Sequence, residues 1–309
     1  MVYNSGLIEM KKYLFVLSAL VLFAFSSCQK FAGDPISKDF TVESSYTALE
    51  VQDAFEVTVS DAATQVTVTA GEKVMPKVIV EIVGNTLKIR IKPMATLYGG
   101  ELKAVIPYNA DLTSVDLSGA SEFHSEYGLE GQKVEVELSG ASEFYSDVDA
   151  DEIKIDLSGA SNFHGDAVAD KVEAHLSGSS DFFGDVLADE IDMELLGSST
   201  IEGNVSADEL DLDMSGASDA TLVGHVTQLK INLTGSSKIT KKVIGNRYAL
   251  ACDNCEGTMS GASVAYIHCD GRICVDLSGA SDLHYTGDGI SSGCSTTSGG
   301  SSIIGPEHP

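Results

Sequence analysis

The amino-acid sequence predicts an all-β fold: a single-stranded parallel β-helix, or β-solenoid, with coils of about 19 residues and an N-terminal β cap. Three observations predict this fold. A five-residue phrase returns at a nearly constant spacing, apolar and polar residues alternate before each copy, and the intervening segments are too short for a crossover helix. A strand with one apolar face cannot bury that face alone, whereas stacked copies form a continuous core.

The repeated phrase is Leu-Ser-Gly-Ala-Ser, which occurs unchanged at residues 117–121, 138–142, 157–161 and 277–281. Looser copies lie between them, and the repeat is marked by Gly119, Gly140, Gly159, Gly178, Gly197, Gly216, Gly235, Gly261 and Gly279. Successive glycines are 21, 19, 19, 19, 19, 19, 26 and 18 residues apart. We expect each glycine to lie in a turn with a positive φ, and the coils to stack about 4.8 Å apart.

Three columns of residues accompany these glycines. The alternating strand comes first, as in Val134 to Leu138 and Ile153 to Leu157. Four residues after the glycine lies a second apolar column, which begins with Phe123 and Phe144. Every copy also has a serine two residues after the glycine, and we expect these serines to pass hydrogen bonds along the rod.

The N-terminal segment predicts an exported chain. A charged segment from Met10 to Lys12 precedes an apolar run from Tyr13 to Phe25 that is too short for a comfortable membrane span, and Met10 is a candidate for the true translation start. Small residues then lead to Cys28 in a pattern that resembles a bacterial lipobox. We therefore expect residues 1–27 to be a lipoprotein signal peptide, Cys28 to be lipidated and residues 28–39 to form a tether. The alternative is an ordinary secretory signal followed by an unmodified cysteine.

The rest of the chain is interpreted as one β-solenoid domain over residues 40–290 and a Ser/Gly-rich tail over residues 291–309. Residues 111–290 carry the repeats. Residues 40–110 contain short alternating runs without the repeated phrase. We expect this segment to cap the open end of the solenoid, because an uncovered coil invites edge pairing.

Charge limits the classes of partner. The chain has 19 Lys and Arg against 46 Asp and Glu, a formal net charge of -27, which excludes nucleic-acid binding because phosphate contacts require clustered basic residues. Many carboxylates fall in columns on the outside of the coils, and we interpret them as a solvated acidic surface. Stacked carboxylates also suit Ca²⁺, but the known calcium-binding repeat Gly-Gly-x-Gly-x-Asp is absent. No metal or cofactor is expected, with Ca²⁺ as the alternative.

One outward stripe is the candidate binding face. It joins acidic and aromatic positions three and five residues after the glycine: Glu122, His124, Glu143, Tyr145, His164, Asp181 and Phe183. Exposed aromatic rings beside carboxylates suit stacking on a sugar or contact with a protein partner. The alternative is ordinary packing of surface strands. His124 and His164 are two coils apart, about 10 Å, which is too far for one metal ion.

Five cysteines follow Cys28, and all lie in the last quarter of the chain. In an exported protein we expect disulfides among Cys252, Cys255, Cys269 and Cys274, with a turn closed by a bond from Cys269 to Cys274. A zinc site and free thiols are the alternatives. Because five is an odd number, at least one thiol stays unpaired within the chain.

The segments Tyr46 to Val59, Gly84 to Ile91 and Ala104 to Pro107, together with the repeats, resemble the putative auto-transporter adhesin, head GIN domain family of Bacteroidota. The resemblance covers about residues 40–290. It implies an exported right-handed β-helix, and it specifies the fold far better than an activity. The Cys-bearing insertion between Gly235 and Gly261 departs from the pattern.

Taken together, the sequence predicts a non-enzymatic outer-membrane lipoprotein of the cell envelope, on its periplasmic or outer side, that binds a glycan or protein partner. A purely structural envelope role and a polysaccharide-active enzyme are the alternatives. Catalysis is disfavoured because coils of about 19 residues leave almost no loop to wall a cleft. The chain also has no Trp, which sugar clefts often use, and no nucleophile elbow.

Overall fold

The computed structural model describes residues 32–42, 45–93, 100–245, 247–291 and 293–306. The predicted signal peptide, Cys28 and the first part of the predicted tether lie outside these residues. None of the described segments forms an apolar helix of membrane-spanning length.

The described chain is built from β-strands, with a short 3-10 helix at Met75–Lys77, so the predicted all-β class is confirmed. The strands are β1 Pro35–Phe40, β2 Ala48–Val51, β3 Glu56–Ser60, β4 Val66–Gly71, β5 Val78–Val83, β6 Thr86–Ile91, β7 Leu102–Pro107, β8 Ser114–Leu117, β9 Glu122–His124, β10 Leu129–Leu138, β11 Glu143–Tyr145, β12 Val148–Leu157, β13 Asn162–His164, β14 Ala167–Leu176, β15 Asp181–Phe183, β16 Val186–Leu187, β17 Glu190–Leu195, β18 Thr200–Met214, β19 Asp219–Leu233, β20 Lys238–Ile239, β21 Val243–Ile244, β22 Arg247–Tyr248, β23 Leu250–Met259, β24 Val264–Cys269, β25 Ile273–Leu277, β26 Asp282–Thr286, β27 Thr296–Thr297 and β28 Ser302–Ile304.

These strands stack as a parallel solenoid with a constant register. In the middle of the rod, Val136 of β10 pairs with Ile155 of β12, which pairs with Ala174 of β14. The short strands after the glycine turn stack in the same way from β9 through β11 and β13 to β15. Residues one repeat apart therefore lie directly above one another, as the spacing of the glycines predicts.

Apolar residues from every coil share one continuous core. Its centre is a stack of fully buried rings, in which the centroids of Phe123, Phe144, Phe163 and Phe182 are 5.3, 5.0 and 4.8 Å apart. Offset stacking of this kind adds to the free energy gained from burying each ring. The inward residues of the alternating strand belong to the same core, since they are almost completely buried.

The glycine turn is shaped by close approach between coils. Gly159 has a φ of +80°, and a Cβ built on it would lie 2.5 Å from the carbonyl oxygen of Gly140 in the coil below. The amide of Ala160 donates to that same oxygen at 2.7 Å, which holds the two turns together. The prediction of a positive-φ glycine is confirmed.

The buried serines of the repeat bond within their own turn, and four of them also bond to the previous coil. Ser161 Oγ donates to the Ser158 carbonyl oxygen in the same coil at 2.8 Å, and the equivalent serines repeat this bond. In the coil around Gly159, the hydroxyl of Ser158 reaches the previous coil, with its Oγ 3.3 Å from the Leu138 carbonyl oxygen. The predicted bonds along the rod are thus present in the C-terminal coils, where the Oγ atoms of Ser218, Ser237, Ser263 and Ser281 lie 3.4, 3.3, 3.4 and 3.2 Å from carbonyl oxygens of the previous coil. In the coils around Ser142, Ser161 and Ser180 the serine bonds to its own turn, because the turn brings a carbonyl of its own coil closer.

The N-terminal region contains coils of its own. Strands β2 and β3 stack in parallel on β8 and β9, and β6 and β7 stack on the other side of β2 and β3. Antiparallel strands then cover this end, with β5 on β6, β4 on β7 and β1 on β4.

The other end extends beyond the last predicted repeat. Strands β27 and β28 pair in parallel with β25 and β26, and Gly299, with a φ of +74°, continues the glycine column. The Ser/Gly-rich segment thus forms a further coil. The longer spacing after Gly235 is taken up by the antiparallel hairpin of β21 and β22, from which the fully buried Tyr248 packs inward.

Candidate functional site

Each coil presents three outward surfaces, for which the coil around Gly159 gives typical positions. Face A carries the outward residues of the long strand before the turn, such as Lys154 and Asp156. Face B carries the short strand after the turn, Asn162–His164. Face C carries the segment that follows, such as Asp166 and Asp170.

Face B holds a column of four stacked rings. The centroids of His124, Tyr145, His164 and Phe183 are successively 4.6, 4.7 and 5.0 Å apart, and neighbouring planes differ by 5°, 3° and 12°. Each inner ring has both faces covered by its neighbours. A sugar therefore finds no open aromatic face between the coils, and the column presents its ring edges instead.

Carboxylates lie beside these rings on the same strands. Glu143 is in register with Glu122 below and Asn162 above. The Tyr145 hydroxyl donates to Glu143, and this bond, together with burial and the charge of Glu143, raises the pKa of Tyr145 to about 12. His124 Nε2 lies 3.3 Å from Glu122 Oε2.

All residues of the predicted stripe come together, half-buried, on β9, β11, β13 and β15. They are Glu122, His124, Glu143, Tyr145, His164, Asp181 and Phe183.

Face A is electrostatically different because lysines are interspersed among its acids. Lys133 Nζ lies 3.3 Å from Glu135 and 2.9 Å from Glu152. Lys171 repeats this arrangement two coils later, and Lys154 bonds to Asp156 at 2.6 Å. These ion pairs within and between coils relieve the repulsion that stacked carboxylates would otherwise cause.

A shallow groove of about 360 Å³ runs along face A. Asp116 and Glu137 line it, and burial followed by the charges of Glu137 and Glu50 raises the pKa of Asp116. Asp156 lies one coil beyond Glu137. Burial raises the pKa of Asp156, but hydrogen bonds from Lys154 and His175 lower it by more, so the net direction is downward.

Face C carries a ladder that sequence reasoning missed. The carboxylate of Asp147 accepts the amide of Asp166 at 2.9 Å, Asp166 accepts the amide of Asp185 at 2.8 Å, and Asp185 accepts the amide of Asn204 at 2.8 Å. The signal was present as an Asp or Asn at a fixed spacing of 19 residues. The side chains of this ladder therefore join each coil to the next.

The cysteine prediction requires a correction. The structure joins Cys274 to Cys294, with Cα atoms 5.1 Å apart, and leaves Cys252, Cys255 and Cys269 as buried thiols. The predicted bond from Cys269 to Cys274 is wrong because Cys269 points into the core, whereas Cys274 lies at an outward position of β25. Within the described ranges, no three His, Cys, Asp or Glu side chains are arranged to hold a metal ion.

Comparison with known proteins gives one matching family model and several similar solved structures. The family model described as putative auto-transporter adhesin, head GIN domain, matches residues 45–188 and 183–289. A solved putative adhesin from Parabacteroides distasonis ATCC 8503 is 17% identical, with a TM-score of 0.48, over 88% of this chain and 97% of that one. A putative lipid binding protein from the same organism is 19% identical, with a TM-score of 0.43, over 88% and 96%.

A putative adhesin from Parabacteroides merdae ATCC 43184 is 16% identical, with a TM-score of 0.43, over 88% of this chain and 95% of that one. No curated protein matches the chain.

Proposed function

Because the chain belongs to the putative auto-transporter adhesin, head GIN domain family, we propose that it is a non-enzymatic binding module of the cell envelope. In this proposal residues 1–27 are removed, Cys28 carries the lipid that anchors the protein to the outer membrane, and residues 28–39 tether the solenoid. The partner is bound through face B.

The observation that carries the proposal is the column of ring edges and carboxylates on face B. It repeats once per coil over four coils, with ring centroids 4.6 to 5.0 Å apart. A surface of this kind suits a partner that is itself extended and repetitive, because many weak contacts then add up without any deep pocket. Sugar hydroxyls are donors and ionised carboxylates are acceptors, so an extended polysaccharide meets both requirements.

The shape of the coils supports binding rather than catalysis. The turns are short, the grooves are open to solvent, and the lysines of face A are engaged in ion pairs. The two competing functions are a purely structural role in the envelope and activity on polysaccharides. Turnover of any member of a polysaccharide panel would establish the second of these.

A glycan array with the purified protein tests the binding function. We expect the triple variant Glu122→Gln, Glu143→Gln and Asp181→Asn to lose at least about tenfold in affinity for any glycan that the unmodified protein binds, since three charge-assisted contacts are weakened. The matched control, Glu137→Gln, Glu194→Gln and Asp213→Asn, removes three charges from face A. Equal loss in both variants would contradict the role of face B, and no glycan binding by the unmodified protein would favour the structural role.

Localisation is tested separately. We expect the protein to fractionate with the outer membrane and to incorporate labelled fatty acid, and we expect Cys28→Ser to abolish both properties. Cys294→Ser is the matched control, because it removes a cysteine far from the proposed anchor. Unchanged labelling of Cys28→Ser would disprove the lipid anchor, and protection from external protease on intact cells would contradict contact with an external partner.

A further inference from the structure

Three thiols gather at one corner of the solenoid core. Cys252 and Cys255 of β23 are each 2% exposed, and Cys269 of β24 is 0% exposed. In the coil below, Val226 is in register with Cys252 and Leu229 with Cys255, so the cysteines stand in columns of aliphatic residues. The Cys252 thiol is within hydrogen-bonding reach of both other thiols.

Cys252 and Cys269 have the geometry of a cross-link. They are register partners on adjacent parallel strands, and such partners have Cα atoms about 4.8 Å apart, inside the range of about 4.4 to 6.8 Å that a disulfide requires. The sulfur of Cys269 lies 3.5 Å from the carbonyl oxygen of Asp253, the residue after Cys252. It therefore points back toward the coil of Cys252.

The other pairings fit less well. Cys252 and Cys255 are three residues apart on one strand, and an extended chain places such Cα atoms up to about 10 Å apart, beyond the reach of a disulfide. Cys255 is in register with Leu229 and Ile273 rather than with Cys269.

We propose that Cys252 and Cys269 form a second disulfide when the chain folds in an oxidising compartment, and that Cys255 remains as the single unpaired thiol. The two thiols lose two protons and two electrons to a disulfide-carrying oxidant, which leaves as a dithiol while the new S–S bond forms. With the bond from Cys274 to Cys294, this assignment accounts for all five cysteines after Cys28.

The bond is expected to form before the coil closes. In the folded protein, hydrogen bonding to the neighbouring thiol and burial raise the pKa values of Cys252 and Cys269, so little of the reactive thiolate is present. Once made, the bond joins the strand that follows the hairpin of β21 and β22 to the coil above it.

Peptide mapping tests this assignment. The full chain is exported from a bacterial host, alkylated under denaturing conditions without reduction, and digested. We expect a fragment that links Cys252 to Cys269 and an alkylated Cys255. A link from Cys252 to Cys255, or alkylation of all three thiols, would overturn the proposal.

Thermal unfolding provides a second readout. In a background of Cys274→Ser and Cys294→Ser, the proposed bond from Cys252 to Cys269 is the remaining disulfide, and it closes a loop of the chain. We therefore expect reductant to lower the melting temperature of this variant by about 5 °C. Adding Cys255→Val should preserve this sensitivity, whereas adding Cys269→Val should abolish it. No effect of reductant in the background protein would count against the bond, independently of whether face B binds a partner.

Discussion

At the scale of single residues, the outer columns show that stacked carboxylates are not equivalent. Asp116 and Asp156 occupy the same column of face A, two coils apart, with Glu137 between them. Asp116 is half-buried beside other acids, so its pKa is raised, whereas Asp156 bonds to Lys154 and His175 and its pKa is lowered. The same residue type therefore has opposite effects on stability.

We expect Asp116→Asn to stabilise the protein at pH 7. Because its folded pKa lies above the unfolded value, the folded state loses stability as pH rises from the unfolded pKa of about 3.9 through the folded pKa. Solvent screening limits the gain to about 0.5 kcal/mol, and the gain should vanish below pH 3. Thermal unfolding at both pH values measures it.

Asp156→Asn is the matched comparison and should act in the opposite direction. Its lowered pKa contributes stability that is present above the unfolded value and is lost as pH falls through the folded value. We expect a loss of about 0.5 kcal/mol at pH 7 and none at strongly acidic pH. If both variants shift the melting temperature in the same direction at pH 7, the charges and hydrogen-bond partners around Asp116 and Asp156 do not determine the effects of these substitutions on stability.

At the scale of elements, the glycine turn is a point of close contact between one coil and the coil below. Gly159 combines a positive φ with a carbonyl oxygen 2.5 Å from where a Cβ would lie. Gly84, in the turn between β5 and β6, has a φ of +65° but no atom within 4 Å of its Cβ position. A comparison of substitutions at Gly84 and Gly159 therefore separates the cost of a left-handed backbone from the cost of a steric clash at the Cβ.

We expect Gly84→Ala to cost about 1 kcal/mol, from the left-handed conformation alone. Gly159→Ala should cost about 3 kcal/mol or more, because the coil below cannot move away without breaking its own hydrogen bonds. Denaturant unfolding measures both. Equal costs would show that the stacked carbonyl is not a steric limit.

Repetition explains why the sequence predicts most of these elements. A period of 19 residues determines register, core and turn together, and it places all seven residues of the predicted stripe on face B. It does not show that rings such as Tyr145 have their faces covered, because ring orientation depends on packing. It also does not identify Cys294 as the partner of Cys274, since their pairing follows from a coil that lacks the repeated phrase.

At the scale of the whole molecule, the charge is unevenly distributed. Lysines concentrate on face A, where Lys133, Lys154 and Lys171 pair with acids. Face C instead stacks Asp151, Asp170 and Asp189 from successive coils, and in the described chain no ion pair involves these three residues. The column on face C therefore adds repulsion between like charges to a chain whose net charge is -27.

We expect salt to stabilise the protein as a whole. Raising ionic strength from about 0.01 to 0.15 M shortens the screening length from about 30 to 8 Å, which weakens repulsion between distant carboxylates more than it weakens contact ion pairs. The melting temperature should rise by about 2 to 5 °C. A fall in the melting temperature would show that the pairs on face A outweigh the repulsion.

The arrangement of the covered end has a consequence for how the rod is made. Strands β2 and β3 lie between the layer of β6 and β7 and the first repeat. When the chain is synthesised or exported N-terminus first, strands β1 to β7 can therefore fold before any repeat emerges. Strands β2 and β3 then offer the edge on which β8 and β9 pair. Each later coil needs only its predecessor, so assembly is directional, and a partly emerged chain exposes a single growing edge.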